Sequence, residues 1–209
     1  MLVAFGDGVK AGKAVSEMIK SSLFPTAIEF VDGKCISAVG EKIAPFLPKD
    51  TEAFLLVEFD GFGPEFERQV EIAYEIFQKN SAWEVFVAED EGTRSRLWSA
   101  RRGVLPSLES LGKLIRHEDV VVPRSKIPDL IAYTEEIERK TGLKVASFGH
   151  AADGNIYKED QKEIMERAVD TASGEHGIGL IKKKHLLLEQ GEARVFDPKN
   201  LFNPDKVFP

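Results

Sequence analysis

The sequence predicts an α+β domain built on a mainly antiparallel sheet with helices on one face. Two observations predict it. Short apolar runs of strand length alternate with segments whose apolar residues recur at helical spacing, and a strand-helix-strand unit occurs twice in tandem in the N-terminal half. A length of 209 residues suits one sizeable domain or two small subdomains sharing a core.

Residues 2–5 form a short apolar run, and Ala14, Val15, Met18 and Ile19 follow at helical spacing. Pro25 opens a second strand over residues 27–31, which the turn pair Asp32-Gly33 ends. Residues 34–48 read as a loop with a short helix anchored by Ile43 and Phe46. The strongest strand is residues 51–59, whose continuous apolar centre suits a sheet interior. Asp60-Gly-Phe-Gly-Pro closes it. A helix over 65–79 follows, with Val70, Ala73, Ile76 and Phe77 on one face, and then a strand over 83–87.

The helix over about residues 90–105 places Arg101 on its apolar face, in line with Leu97, Trp98, Val104 and Leu105. A guanidinium there needs an anion, because an unpaired buried charge is very costly. That anion is an internal Asp or Glu, or the carboxylate of a substrate. Arg102 lies on the flank of the stripe, and Pro106 kinks or ends the helix. A strand over 119–122, a helix over 125–140 and a strand over 143–148 come next, the last delivering His150 at its end. Residues 159–169 and 179–189 read as helices, and the proline-containing tail as extended chain that packs against something.

The net charge of −7 and the lack of a basic patch interleaved with aromatics exclude a nucleic-acid footprint. The lone Cys35 excludes an internal disulfide framework and a cysteine-built zinc site, which suits a reducing, cytoplasmic setting. No apolar run approaches the ~18 residues of a membrane span, so any membrane association runs through partners. One motif points elsewhere. Gly6-Asp-Gly-Val-Lys-Ala follows a strand and has acids Glu29 and Asp32 about twenty positions on, the weak outline of a dinucleotide site. The plainer reading is a turn before an amphipathic helix.

Chemistry concentrates in two glycine-rich stretches, Ser147-Phe-Gly-His-Ala-Ala-Asp-Gly-Asn-Ile-Tyr and Thr171-Ala-Ser-Gly-Glu-His-Gly-Ile-Gly. They hold His150, Glu175 and His176, groups suited to a divalent metal or to proton transfer. A lone histidine is more often a hydrogen-bonded structural residue. Three such groups on two glycine-hinged segments point to a site.

Five ordered motifs resemble the C-terminal domain of FAD-linked oxidases, the family of the glycolate oxidase large subunit and D-lactate dehydrogenase. They are Leu97-Trp-Ser-Ala-Arg-Arg-Gly-Val-Leu-Pro, Glu118-Asp-Val-Val-Val-Pro-Arg-Ser-Lys, Phe148-Gly-His-Ala-Ala-Asp-Gly-Asn, Ser173-Gly-Glu-His-Gly-Ile-Gly and Asp197-Pro-Lys-Asn-Leu-Phe-Asn-Pro-Asp-Lys-Val-Phe. The resemblance implies a duplicated ferredoxin-like cap over residues 1–209. It also implies an N-terminal FAD-binding domain, absent from this chain and supplied by fusion or by a separate partner. By the same resemblance His176 takes a proton from a small 2-hydroxy acid, and Arg101 binds the substrate carboxylate. His150 and Glu175 bind a divalent metal such as Zn, Mn or Fe, and the tail at Asn203 faces the flavin. Such a cap is inactive alone. Where relatives that bind metal carry a second histidine, this chain has Ile156-Tyr157, and a neutral phenol is a poor ligand; Ala152 replaces a usual glycine. The segment between Asn155 and Gly174 is shorter than in relatives. The alternative expectation is therefore a partner subunit without catalytic activity, its metal site degenerate.

Overall fold

The computed structural model of the protein describes residues 1–111, 117–142 and 144–159. The helix expected at 159–169, beyond its first residue, the helix expected at 179–189 and the tail lie outside them, as do Glu175, His176 and Asn203. Within the described residues β1 (Leu2–Phe5), α1 (Gly8–Lys20), β2 (Ala27–Asp32), α2 (Gly33–Val39), β3 (Ala53–Glu58), α3 (Pro64–Lys79) and β4 (Ala82–Phe86) follow in order. Then come α4 (Glu91–Arg102), α5 (Val104–Glu109), β5 (His117–Val121), α6 (Ile127–Thr141), β6 (Ser147–His150) and β7 (Asn155–Glu159). The seven strands form one sheet in the order β4-β1-β3-β2-β6-β7-β5, and every pairing is antiparallel.

That order is a duplication. The run β1-α1-β2-β3-α3-β4 with spatial order β4-β1-β3-β2 is a ferredoxin-like unit, and β5-α6-β6-β7 repeats its first part in the order β5-β7-β6. The two join where the edge strands β2 and β6 pair, with Glu29 opposite His150, Phe30 opposite Gly149 and Val31 opposite Phe148.

Period-two alternation divides the strand residues between two cores. Val3, Phe5, Ile28, Phe30, Leu55 and Val57 face the long helices, meeting Ala14, Val15 and Met18 of α1, Ile76 and Phe77 of α3, and Ile127 and Ile131 of α6. This is the expected helical layer. The opposite face, with Leu2, Val31, Phe54, Leu56 and Phe148, is covered by a second, shorter layer: Cys35 and Val39 of α2, Leu97 and Ala100 of α4, and Val104 and Leu108 of α5. The expectation of helices on one face is thus extended, because α2 falls in the stretch that reads as a loop with a short helix and α5 at and beyond the end of a longer expected helix.

Pro106 does act on its helix, four residues upstream. It has no N–H to give the carbonyl of Arg102, so α4 stops at Arg102 and α5 restarts with Pro106 in its first turn, where a missing donor costs nothing. The strand β7 falls where a glycine-hinged loop and a helix start were expected. It is held by β5 on one side and β6 on the other, after a turn at Gly154 with φ +80°.

Asp32 ties the start of α2 to β6. Its Oδ1 accepts from the Cys35 N–H at 2.9 Å and its Oδ2 from the Ser147 N–H at 2.7 Å. Burial pushes its carboxyl above the usual range, against the opposing pull of Lys34 and those two N–H groups. A carboxyl raised in the folded state favours folding below its unfolded value of ~3.9, and that contribution is lost as pH rises through the folded value. The stability of wild type minus that of Asp32→Asn, from urea unfolding, is expected to fall between acid and neutral pH. A difference that rose over the same window would show that the hydrogen bonds outweigh burial.

Candidate functional site

Glu29 is the third residue of β2, flanked by Ile28 and Phe30 on the long-helix face, so alternation turns it toward the short-helix face. The ladder sets His150 directly opposite, on the same face. Arg101, in the last turn of α4, reaches the same point from above, among Leu97, Ala100 and Val104. The structure brings these residues together.

Arg101 Nε and Nη2 donate to Glu29 Oε2 at 2.8 and 2.7 Å, and His150 Nδ1 lies 2.6 Å from Glu29 Oε1. The guanidinium also stands over the Phe148 ring, 5.0 Å from its centroid. Side-chain exposure is 4% for Glu29, 10% for Arg101 and 42% for His150. The trio therefore runs from a dry interior to an open edge. The Arg101 anion left open by the sequence has an internal candidate, Glu29. A guanidinium carries five donors, however, and its Nη1 edge is the one a second carboxylate can meet. Arg102 is exposed and takes no part in this cluster.

Glu29 was the residue that sequence reasoning missed. It registered only as an acid downstream of the Gly6-Gly8 motif. The usable signal was an ionisable residue inside an apolar strand, which demands a partner as strongly as Arg101 does. The glycine motif itself has a packing role. Gly6 lies under the Trp83 indole, and Gly12 meets Pro128 and Ile131 of α6 so closely that a Cβ there would sit 2.9 Å from Ile131. Asp7 caps α1, accepting from the N–H groups of Val9 and Lys10 at 2.7 and 3.1 Å, the donors a phosphate would need. The turn reading is the one the geometry favours.

For a metal, His150 supplies one suitable group. With Nδ1 turned to Glu29, Nε2 is the nitrogen able to ligate, and a carboxylate behind the imidazole is the usual support for such a ligand. Among the described residues no group of three or more His, Cys, Asp or Glu could hold a metal, and Glu175 lies outside them. Tyr157 stands opposite Phe148 in backbone register. No helix among the described residues is long and apolar enough to cross a membrane.

The comparisons with known proteins agree on one family. The family model for FAD linked oxidases, C-terminal domain, matches residues 1–207. The glycolate oxidase subunit GlcD of Bacillus subtilis is 30% identical, over 95% of this chain and 48% of that protein. A D-lactate dehydrogenase of Anaerostipes hadrus is 30% identical over 92% of this chain and 48% of that protein. The chain therefore spans about half the length of these curated relatives. Among solved structures, an alkyldihydroxyacetonephosphate synthase matches 91% of this chain and 38% of its own with a TM-score of 0.51 and 14% identity, a likeness of fold alone.

Proposed function

This chain belongs to the family of FAD linked oxidase C-terminal domains, and on that premise we propose that it is the substrate-binding cap of a flavin-dependent oxidoreductase that oxidises a small 2-hydroxy acid, of the glycolate or D-lactate type, to the 2-oxo acid. The observation that carries the reading is the pairing of Arg101 with Glu29 and His150 at one spot on the short-helix face.

In this reading the Nη1 edge of Arg101 meets the substrate carboxylate, and burial strengthens that pairing. His176 takes the proton of the substrate hydroxyl on its imidazole, a group whose ordinary titration range suits such a transfer. The FAD, bound by a fused or separate domain, supplies the acceptor for the Cα hydride. Loss of one proton and one hydride turns the hydroxy acid into its oxo acid, so the step balances. His150 and Glu175 would hold a divalent ion such as Zn, Mn or Fe, whose charge would polarise the substrate hydroxyl. Asn203 in the tail faces the flavin. Without the flavin domain the chain binds substrate weakly and turns nothing over.

Tyr157 favours a second reading, a partner subunit that keeps the cap and has lost the metal. One measurement separates the two. The visible absorption spectrum of the native species captured from its source through this chain is expected to show flavin bands that bleach on addition of the right hydroxy acid. A species free of flavin would sink the first reading and leave the second.

A further inference from the structure

We propose that Glu29 is the positioning residue of this site: it dictates which nitrogen of His150 carries the proton and ties that imidazole to Arg101. The use made of the presented nitrogen rests on the function proposed above; the geometry does not.

A carboxylate only accepts hydrogen bonds, and Glu29 has two oxygens for two donors. Oε2 takes the Nε and Nη2 donors of Arg101 at 2.8 and 2.7 Å. Oε1 is left for His150 Nδ1 at 2.6 Å. A neutral imidazole in that contact must carry its proton on Nδ1, which places the lone pair on Nε2. The exposures fit this polarity. Glu29 is 4% exposed and the His150 side chain 42%, so the ring spans from the buried acid toward the open edge. Backbone pairing sets the spacing, because Glu29 and His150 are direct partners across the β2-β6 ladder.

No uncharged residue type does both tasks. An aliphatic side chain would leave Arg101 buried without an anion, and the guanidinium cannot shed its charge. Glutamine keeps the shape but has one oxygen and one NH2 group. The donors of Arg101 require the oxygen, so the NH2 must face His150 Nδ1, which then has to accept. The proton moves to Nε2, and the lone pair on that nitrogen is lost.

The test is the tautomer of His150 in the full protein, freed of divalent ions by a chelator and read from long-range 1H–15N correlations at a pH of about 9, where an ordinary imidazole is neutral. The Nδ1–H form is expected in wild type and the Nε2–H form in Glu29→Gln. An Nε2–H form in wild type overturns the proposal, and so does an Nδ1–H form retained in Glu29→Gln. The wild-type spectrum alone decides the matter if the variant does not fold. This readout needs no flavin, metal or turnover, so a switched tautomer beside a failed functional test would leave Glu29 in its role and remove only the use proposed for it.

Discussion

Replacing Glu29 with alanine is expected to lower the unfolding free energy of the protein by about 3–5 kcal/mol, the range for breaking one side of a buried ion pair. The carboxylate is 4% exposed and its partner Arg101 10%, so truncation strands a guanidinium among Leu97, Ala100, Val104 and Phe148. Water cannot easily reach it there, and proton loss is not available to it. His150 loses its Nδ1 partner in the same stroke. The cost belongs to the stranded charge more than to the bond, and that distinction is measurable. Removing both charges, as in Glu29→Met with Arg101→Met, should recover much of the loss, since apolar groups of similar length can fill a site that an ion pair occupied. Urea unfolding of the two variants gives the answer. An unchanged midpoint for Glu29→Ala would mean that the pair is hydrated in solution.

A second large effect is expected at His176. In the assembled flavoprotein, His176→Ala should slow flavin reduction by the hydroxy acid by about 10²- to 10⁴-fold, the usual contribution of a positioned general base. Without a base the hydroxyl must lose its proton to water, while the hydride leaves a carbon that is not yet carbonyl-like. Arg101→Lys offers the contrast. It keeps one positive charge beside Glu29 and gives up the guanidinium fork, so it should raise the substrate concentration needed for half-maximal reduction far more than it lowers the rate. Stopped-flow bleaching of the flavin separates these outcomes. A rate for His176→Ala within a few-fold of wild type would remove the proton-transfer role.

Much of the architecture was legible because the physics behind it is local. The apolar centre of β3 and the helical spacing of Ala14, Val15 and Met18 declare their elements without help from the rest of the chain. The stripe that placed Arg101 inward was equally local, and it predicted that a partner must exist. Which partner was not legible, since Glu29 and Arg101 are 72 positions apart and nothing in the spacing links them. Strand β7 was illegible for a related reason. Asn155-Ile-Tyr-Lys-Glu has one aliphatic residue after a glycine turn, and it is a strand because β5 and β6 flank it. The second short-helix layer was hidden in the same way, being made by packing onto a sheet whose two faces the sequence could not tell apart at α2. Glu175 and His176 stood out by their chemistry among glycines, while their particular roles, and Asn203, rest on motif resemblance.

The meeting of β2 with β6 has a consequence for how such a site can arise. Each is the second strand of its unit, and they run antiparallel, while the first helices of the two units, α1 and α6, pack on the same side of the sheet. Equivalent parts thus face one another across an approximate two-fold axis normal to the sheet, the geometry of a symmetric homodimer. In a true homodimer every residue beside the axis is present twice, so an acid set there by one subunit is matched by an acid from the other, and like charges repel. Carrying both copies in one polypeptide lifts that constraint. One copy can keep an acid and the other an imidazole, and Glu29 opposite His150 is such a pair.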